Sequence, residues 1–447
     1  MNDQNQIPQV RVGIMSEPQL DFVLNGQYRV NGALHSGEQQ ACCTEGMVEW
    51  NGNRYGELMF EPVDAEGASF TLKGVTIGVS FHWKRKEDQT FKGALHIIVE
   101  DGKLTPVNVL SVEDYLLSVI SSEMSANASL ELLKAHAVIS RSWLLAQIHG
   151  EKQEEIGIDR DPDAPGEMMD TPEELVKWWD RDDHVNFDVC ADDHCQRYQG
   201  ITRATTEKVE QAIRATWGEV LMHGGELCDA RFSKSCGGVM EEFENCWEPH
   251  HHDYLEARRD SANETDFPDL TREDAAAEWI LSSPEAYCNT SDPEILSQVL
   301  NDYDQETKDF YRWSVEYSQD ELATLIKERT GIDYGRIRDL QPVARGTSGR
   351  LYRLRIVGEK RERIIGKELT IRYALSPSCL YSSAFIVEKQ GNDVDGYPER
   401  FTLRGAGWGH GAGLCQIGAA VMGARGIDYK TILLHYFVGA SIEKRYQ

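Results

Sequence analysis

Residues 111–150 constrain the fold most, because they predict two consecutive helices with a charged residue on a buried face. Ser111, three residues before an aspartate, is typical of a helix start, and the apolar positions after it recur at helical spacing until about Ser121. A second helix is expected from about Ser129, with leucine, alanine and isoleucine along one face. Arg141 interrupts that apolar face. A guanidinium there requires a carboxylate partner, because an unpaired buried charge is strongly destabilising.

Glu123 lies between the two predicted helices, on the connecting loop or at a helix end, within the tripeptide Ser122-Glu123-Met124. Two interpretations of this acid are open. In the first, Glu123 and Arg141 form a structural ion pair, which the residue pattern alone favours. In the second, Glu123 is a functional acid.

Three stretches of the chain resemble the signatures of a known family. The first joins Ser122-Glu123-Met124 to a helix with Leu133-Lys134-Ala135, Ala137-Val138 and Arg141. The second is a strand and a double glycine at residues 231–238, and the third is the glycine-rich stretch 405–419, followed by a helix that ends within residues 433–442. In this order the three stretches resemble the SpoIID/LytB family of peptidoglycan lytic transglycosylases.

The resemblance implies an α+β fold with a SpoIID-like mixed catalytic core. Residues 1–105 are expected to form an N-terminal antiparallel β domain, and residues 106–447 the catalytic domain. Two acidic, partly helical insertions are expected within it, at about 150–183 and 253–315. Glu123 is implied as the catalytic residue. The side chains implied to bind substrate are Lys134, Arg141, Ser233, Ser235, Trp408 and His410.

Two cysteines depart from the family pattern. Cys236 and Cys415 stand where many members have small or hydroxyl residues. The chain has 10 cysteines, too few for a disulfide scaffold in 447 residues, so the cysteine count does not indicate the compartment.

The first hundred residues alternate apolar and polar side chains, as half-buried strands do. The dipeptide Asn25-Gly26 between two such runs predicts a two-residue hairpin turn. Around Gly74 the apolar phase shifts by one residue, which predicts a β-bulge. Such a domain either contacts glycan or a partner protein, or only packs against the rest of the chain.

His184, Cys190 and Cys195 offer the side chains that zinc binds, although their spacing is looser than that of a zinc finger. Some members of the resembled family hold zinc near the catalytic cleft with one histidine and two cysteines. Mapping by order implies these three residues as ligands, with His194 as the rival to His184. A disulfide between the two cysteines and a pair of free thiols are the alternatives. The expected zinc has a mainly structural role.

The glycine-rich residues 405–413 surround Trp408 and His410. They lack the Gly-Lys-Ser/Thr of a phosphate-binding loop and the spacing of a dinucleotide-binding loop. Glycines allow backbone to approach backbone or a sugar closely. A tight packing turn and a direct substrate contact are therefore both open.

The formal net charge of −28 is concentrated in two segments. Residues 151–183 carry a net charge of −9 and residues 260–309 a net charge of −12. Because phosphate binding needs a basic surface, nucleic acid is excluded as a partner. The acidic runs are best explained as solvated surface. No apolar run of eighteen residues exists, so no transmembrane segment is expected.

The resemblance implies an enzyme that cleaves the bond between N-acetylmuramic acid and N-acetylglucosamine in peptidoglycan glycan strands. Such an enzyme needs one carboxylic acid, because the C6 hydroxyl of muramic acid is the internal nucleophile, whereas ordinary glycosidases use two carboxylates. The alternative is a non-catalytic peptidoglycan-binding or amidase-activating module, whose partner is a cell-wall amidase. A pure binder has no need of Glu123 in its Ser-Glu-Met context.

That role implies an extracytoplasmic or cell-wall-associated location. The first fifteen residues show neither the basic nor the apolar region of a signal peptide. A signal that has been removed, a start further upstream and another export route are the three explanations. Sporulation members of the family favour denuded glycan, whereas the residues themselves do not distinguish denuded from peptide-bearing strands.

Overall fold

The structure of the protein is a computed structural model. It describes residues 7–77, 85–125, 128–154, 168–177, 184–192, 195–202, 206–262, 266–299 and 309–447. This described part of the chain is a mixed α+β protein with 24 strands and 10 helices. None of these helices combines the length and the apolar character needed to cross a bilayer.

The elements are numbered in chain order. The strands are β1 Gln9–Gly13, β2 Gln19–Val30, β3 Ala33–Thr44, β4 Met47–Trp50, β5 Asn53–Tyr55, β6 Leu58–Pro62, β7 Ser69–Ile77, β8 Arg85–Phe91, β9 Ala94–Glu100, β10 Lys103–Ser111, β11 Met168–Asp170, β12 Glu174–Lys177, β13 Val189–Cys190, β14 Glu219–His223, β15 Glu226–Leu227, β16 Phe232–Ser233, β17 Arg312–Ser318, β18 Ile337–Arg345, β19 Leu351–Gly358, β20 Glu362–Gly366, β21 Phe385–Gln390, β22 Arg400–Ala406, β23 Leu414–Cys415 and β24 Ser441–Lys444. The helices are α1 Val112–Glu123, α2 Leu130–Glu154, α3 Glu207–Ala215, α4 Phe243–Cys246, α5 Glu273–Leu281, α6 Pro293–Val299, α7 Gln319–Thr330, α8 Glu368–Ala374, α9 Gln416–Ala424 and α10 Tyr429–Tyr436.

The chain forms two compact units. The first unit comprises residues 1–155, 182–221 and 442–447, and the second unit comprises residues 156–181 and 222–441. The predicted division at residue 105 falls inside the first unit, because β10 pairs with both β1 and β9 and runs directly into α1.

An antiparallel sheet dominates the first unit. Its strand order is β13-β1-β10-β9-β6-β2-β3-β4-β5, and β7 pairs with β2 and β8. The pairing of β1 with β13 is parallel. Alternate side chains are buried in strands such as β1, β2 and β6, as Val10 and Val12 of β1 are, because successive side chains of a strand point to opposite faces. The alternating pattern of the first hundred residues thus forms antiparallel strands, as predicted.

The Asn25-Gly26 dipeptide does not form the predicted hairpin turn. β2 continues through it, with Gly26 at φ +124 and a register shift in the pairing with β3. The turn between β2 and β3 lies at Asn31-Gly32 instead. Both Asn-Gly dipeptides are suited to a two-residue hairpin turn, and the pairing of β2 with β3 determines which of them forms it. At Gly74, where φ is +65, the predicted bulge is present in the pairing of β7 with β8.

The two predicted helices are α1 and α2 of the first unit. Ser111 caps α1, since its side chain accepts a hydrogen bond from the backbone N–H of Asp114. The helix continues to Glu123 rather than ending near Ser121, and α2 begins at Leu130 as predicted. Helices α1 and α2 pack against each other, and α3 packs against both.

The second unit contains smaller sheets, with strand orders β11-β12-β20-β19-β18 and β17-β22-β21. These strands, together with α7 and α8, enclose an apolar core that includes Leu354, Ile356 and Phe401. Helices α5 and α6 lie within residues 253–315, the range of the second predicted insertion. Much of the insertion at 150–183 lies outside the described residues.

The second and third family-like stretches meet in the second unit. Strands β16 and β23 are parallel neighbours, and an isolated bridge joins Ser235 to Trp408. Gly413, next to β23, has φ +71, and a Cβ atom there would lie 2.1 Å from the carbonyl oxygen of Arg231. Only glycine fits such a close backbone approach, which explains one glycine of the motif.

Candidate functional site

Glu123 is the last residue of α1, and its side chain is partly exposed. Its Oε1 accepts a hydrogen bond of 3.3 Å from the backbone N–H of Arg197. Met124 is buried and extended, and it ends the helix. The backbone therefore orients a carboxylate that keeps access to solvent, as a general acid must to reach a substrate.

Residues 196–199, which we call the strap, run along α1. The Tyr115 hydroxyl donates a hydrogen bond of 3.3 Å to the side-chain oxygen of Gln196. The rings of Tyr115 and Tyr198 stack with their centroids 5.1 Å apart. These contacts fix the segment that supplies the backbone donor to Glu123.

The predicted metal ligands His184, Cys190 and Cys195 come together directly before the strap. Their ligand atoms all lie within 4.8 Å of one another, and the Cys195 Sγ is 3.5 Å from the His184 Nε2. No disulfide joins the two cysteines, so the disulfide alternative is not observed. The rival ligand His194 lies outside the described residues.

Strand pairing and ring packing explain why these three residues meet. Strand β13 pairs with β1 and places Cys190 opposite Gly13. The ring of Phe187 packs on Gly13 so closely that a Cβ atom there would lie 2.6 Å from it. His184 stacks on the same ring at a centroid distance of 4.7 Å. The sheet of the first unit thus anchors the loop that carries the ligands.

The three side chains fit a zinc ion. In a tetrahedral site with bonds of about 2.3 Å to sulfur and about 2.0 Å to nitrogen, the sulfur and the nitrogen are about 3.5 Å apart. The observed sulfur-to-nitrogen distance of 3.5 Å agrees with that value. Three protein ligands leave one tetrahedral position for water or another group.

Tyr115 experiences the charges of both the thiol cluster and the acid. Burial raises the pKa of its hydroxyl well above the usual range, and negative charge on Cys195, Cys190 and Glu123 contributes to the increase. The hydroxyl therefore stays protonated at neutral pH and remains a hydrogen-bond donor to the strap. Glu123, the strap and the ligand loop belong to one electrostatic environment.

Arg141 pairs with Glu113 and not with Glu123. Both side chains are buried, and they form two hydrogen bonds, of 2.9 Å from Nε to Oε1 and of 2.7 Å from Nη2 to Oε2. The third guanidinium nitrogen, Nη1, donates to the carbonyl oxygen of Glu219 over 2.9 Å. The prediction that Arg141 faces inward is confirmed, whereas the suggested pairing with Glu123 is wrong.

Two further donors bind Glu113. The Tyr446 hydroxyl donates to its Oε1 over 2.6 Å, and the Gly218 backbone N–H donates to the same atom over 3.3 Å. The contacts of Arg141 are thus those of a structural ion pair, completed by the last residues of the chain. Its predicted contact with substrate stays a prediction.

Lys134 lies on α2, one turn from Glu131. Its Nζ is 2.7 Å from the Glu131 Oε1, and the lysine side chain is 17% exposed. It therefore presents part of a cationic side chain to solvent in the first unit. Its binding of substrate also stays a prediction.

The other predicted substrate-binding residues lie in the second unit. Ser235 is fully buried and Ser233 nearly so. Neither hydroxyl has a hydrogen-bond partner within the described ranges. Trp408 is half-buried and stacks on Phe310, with the ring centroids 4.8 Å apart. The burial of the two serines favours packing over direct contact with a polymer.

His410 has the contacts expected of the packing-turn alternative. Its Nε2 donates to the Phe232 carbonyl oxygen over 2.8 Å, and its Nδ1 accepts from the Ala412 N–H over 3.1 Å. Burial lowers the pKa of His410 to about 3, and the charges of Arg231 and Arg350 add to this effect. The ring is therefore neutral at physiological pH, and both its nitrogens hold the glycine-rich loop in place.

Residues 100–223 match the family described as Stage II sporulation protein, SpoIID. This range contains Glu123 and the three candidate metal ligands. The chain therefore contains a SpoIID domain. SpoIID proteins are related to the cell wall and in general enzymatic, so the SpoIID domain is consistent with a cell-wall-related function.

A second match lies outside the SpoIID domain. Residues 241–413 match a domain of unknown function, DUF8618, which includes Trp408 and His410. An uncharacterized protein of Brachyspira hyodysenteriae is 24% identical over 422 residues, covering 94% of this chain and 88% of that relative. The similarity to this relative therefore extends well beyond the SpoIID domain.

Several functional-site neighbours gave no signal in the sequence. Glu113 lies in the first turn of α1, where acids are common because they interact favourably with the helix dipole, so nothing distinguished it as a buried partner. Asp260 and Cys288 lie within the range of the second predicted insertion, and they join Cys236 and Cys415 in a buried cluster. The one available signal was that these last two cysteines depart from the family pattern.

Proposed function

We propose that this protein is a peptidoglycan lytic transglycosylase that uses Glu123 as both general acid and general base. Its substrate is the glycan strand, and the bond cleaved joins N-acetylmuramic acid to N-acetylglucosamine. One observation carries the proposal: within the SpoIID domain, a partly exposed carboxylate at a helix end is oriented by a backbone N–H.

The reaction needs one carboxyl group. Glu123 first gives its proton to the glycosidic oxygen, and the bond from that oxygen to C1 of muramic acid breaks. The C6 hydroxyl oxygen of muramic acid then bonds to C1, and the hydroxyl proton passes to Glu123. The products are a 1,6-anhydro-muramic acid end and a free hydroxyl on N-acetylglucosamine, with no water consumed. General acid and base catalysis of this kind contributes a factor of about 10²–10⁴.

The contact at Oε1 suggests how the two oxygens of Glu123 share these tasks. The Arg197 N–H holds Oε1 at 3.3 Å, so the plane of the carboxyl group is set by the protein. We assign proton transfer to Oε2. Fixed orientation matters because a general acid must lie within hydrogen-bond reach of the oxygen that it protonates.

We assign zinc to His184, Cys190 and Cys195, with a mainly structural role. Bound zinc supplies a fixed centre for two thiolates and one imidazole, which suit this ion. Cys195 is directly followed by the strap, so a fixed Cys195 also fixes the backbone donor to Glu123. A mechanism driven by a glutamic acid does not require a metal at the reacting atoms.

Replacing Glu123 with glutamine tests the catalytic role. Glutamine keeps the shape and an oxygen acceptor for the Arg197 N–H, but it cannot donate the catalytic proton. We expect anhydro products to fall by at least about 10²-fold, with an unchanged melting temperature. The measurement is mass spectrometry of products from denuded and from intact peptidoglycan.

The matched control for Glu123→Gln is Glu210→Gln. Glu210 is a partly exposed acid of α3 in the same unit, paired with Arg214 at 2.8 Å, and its replacement should leave turnover unchanged. Full activity of purified Glu123→Gln protein would contradict the mechanism. A wild-type protein that binds glycan and stimulates an amidase without forming anhydro ends would favour the non-catalytic alternative.

The zinc assignment is tested on protein purified without chelator or added metal. Cys195→Ser should lower the zinc content by one ion per chain and should speed amide hydrogen exchange in residues 196–199. A disulfide between Cys190 and Cys195, detected by mass, or an unchanged zinc content in the variant would remove this site.

The proposed activity requires contact with peptidoglycan, which lies outside the cytoplasmic membrane. We therefore propose an extracytoplasmic, wall-associated location for the protein. Cell fractionation with antibody detection tests it, and a protein confined to the cytoplasmic fraction would contradict the proposed location.

A further inference from the structure

Three cysteines and one aspartate meet in the interior of the second unit. The ligand atoms of Cys236, Asp260, Cys288 and Cys415 all lie within 4.8 Å of one another. None of the four residues is more than 2% exposed. The Sγ atoms of Cys236 and Cys288 are 3.5 Å apart, and all three cysteines are free thiols.

The four side chains come from distant parts of the sequence. Pairing of β16 with β23 brings Cys236 next to Cys415, so that the Cys236 N–H donates to the Cys415 Sγ over 3.3 Å. Asp260 and Cys288 lie within the range of the second predicted insertion, and the Cys288 N–H donates to the Asp260 Oδ2 over 3.0 Å. The tertiary fold therefore assembles four potential ligands, of two chemical types, at one point.

Packing of apolar side chains does not account for Asp260. Buried free cysteines are common because a thiol is nearly apolar, whereas a buried carboxylate is costly. The Asp260 carboxyl group nonetheless lies fully buried among three thiols. A polar or charged partner is therefore needed to offset its desolvation.

Three thiol groups and one carboxyl group therefore share one dry space. In their deprotonated forms these groups would repel one another, and a cation held between them removes that repulsion.

We propose that Cys236, Asp260, Cys288 and Cys415 form a closed four-ligand site for a thiolate-binding divalent metal ion, with zinc as the probe. Thiolates select soft and borderline metals, and a carboxylate among them favours zinc over copper(I). Two sulfurs in a tetrahedral zinc site are about 3.8 Å apart, close to the observed 3.5 Å between Cys236 and Cys288. Metal binding releases the thiol protons of the cysteine ligands to solvent.

The groups around the site suit a metal complex of net negative charge. The Tyr436 hydroxyl donates to the Asp260 Oδ1 over 2.9 Å, and the Gly238 N–H donates to the Cys236 Sγ over 3.4 Å. The buried Arg350 donates to the Cys236 carbonyl oxygen over 3.1 Å, which places a positive charge beside the thiolates. Such outer donors orient ligands and offset the charge of three thiolates and a carboxylate.

Four protein ligands and complete burial make this site structural rather than catalytic. The metal would cross-link four positions of the second unit that span residues 236–415. Because a preformed site is absent from an unfolded chain, the binding free energy contributes to folding of that unit. The site at His184 differs, since it has three protein ligands and lies in the first unit.

Metal content of the full chain, purified under reducing conditions without added metal, tests the proposal. We expect two zinc ions per wild-type chain by elemental analysis. Cys195→Ser should lose one of them, and Cys288→Ser should lose the other. Because each variant reports on its own site, a failure of the first assignment is distinguishable from a failure of the second.

The matched control is Cys228→Ser, which replaces a fully buried free thiol of the same unit outside the cluster. It should keep the wild-type zinc content. If the Cys288→Ser variant does not fold, the test is cobalt(II) exchange into the Cys195→Ser protein. A thiolate-to-cobalt absorption band is then expected from the four-ligand site, which that variant retains.

Three results would overturn the proposal. The first is a zinc content of Cys288→Ser equal to that of Cys228→Ser. The second is a disulfide between Cys236 and Cys288, detected by mass in freshly purified wild-type protein, which would indicate a redox pair. The third is the absence of both zinc and a thiolate-to-cobalt band in the Cys195→Ser protein.

Discussion

Replacing Arg141 with methionine is expected to destabilise the first unit severely. Arg141 and Glu113 are 0% and 3% exposed at their side chains and share two short hydrogen bonds. Methionine fills a similar length but leaves the Glu113 carboxylate without a counter-charge. Tyr446 and Gly218 still donate to that carboxylate, and neither carries a positive charge.

Removing one partner of such a buried pair costs about 3–5 kcal/mol, because the remaining charge is left desolvated. Total unfolding free energies are about 5–15 kcal/mol, so this loss is a large share of the stability. The double variant Arg141→Met with Glu113→Gln removes both charges. It should recover about 1–3 kcal/mol relative to the sum of the single changes.

The assay is urea unfolding combined with amide hydrogen exchange of peptides from α1 and α2, which reports on the first unit. The matched control is Arg54→Met, which breaks an ion pair with Glu45 whose side chains are 45% and 77% exposed. That change should cost at most about 1 kcal/mol.

An equal response of Arg141→Met and Arg54→Met to urea would refute the buried ion pair. Activity measured at low temperature separates the remaining alternatives for Arg141. If the arginine acts through stability, turnover per folded molecule is retained. If it binds sugar, turnover falls even where the protein is folded.

Two further predictions concern the glycine-rich loop. The pKa of His410 is about 3 in the folded protein and about 6.5 in an unfolded chain. Between these two pH values the unfolded state binds more protons than the folded state. The free energy of unfolding should therefore decrease as the pH falls from about 6.5 towards about 3. The expected loss of unfolding free energy from pH 7 to pH 5 is about 1–2 kcal/mol. Urea titrations at both pH values should show this loss, and His410→Gln should remove the contribution of this histidine. Gly413→Ala would place a Cβ atom 2.1 Å from a backbone oxygen, so it should lower the unfolding free energy by more than about 2 kcal/mol. Gly426 has φ +80 and open space around it, so Gly426→Ala should lower the unfolding free energy by about 1 kcal/mol. Equal melting temperatures of the two glycine variants would contradict the close approach.

Local patterns predicted much of the first unit. The helical spacing after Ser111 gives α1 and α2, and the phase shift at Gly74 gives the bulge. The proximity of His184, Cys190 and Cys195 was also predictable, because they lie within twelve residues and only a short loop has to close. Each of these features depends on residues close together in the chain, where backbone geometry limits the outcomes.

Features that depend on distant partners were not predictable. The Asn-Gly preference for hairpin turns predicted a turn at Asn25-Gly26, whereas the turn lies at Asn31-Gly32, because strand pairing determines the register. Arg141 was correctly placed on a buried face, but its partner Glu113 looked like an ordinary helix-terminal acid.

The sequence by itself determined the periodicities, the helix pair around Glu123 and the residue types of the ligand loop, because these follow from neighbours along the chain. Only the tertiary structure decided which carboxylate neutralises Arg141 and that Cys236, Asp260, Cys288 and Cys415 share one buried space. The physical reason is that a side chain's chemistry specifies what kind of partner it needs, whereas the packing of strands and helices specifies which distant residue supplies it.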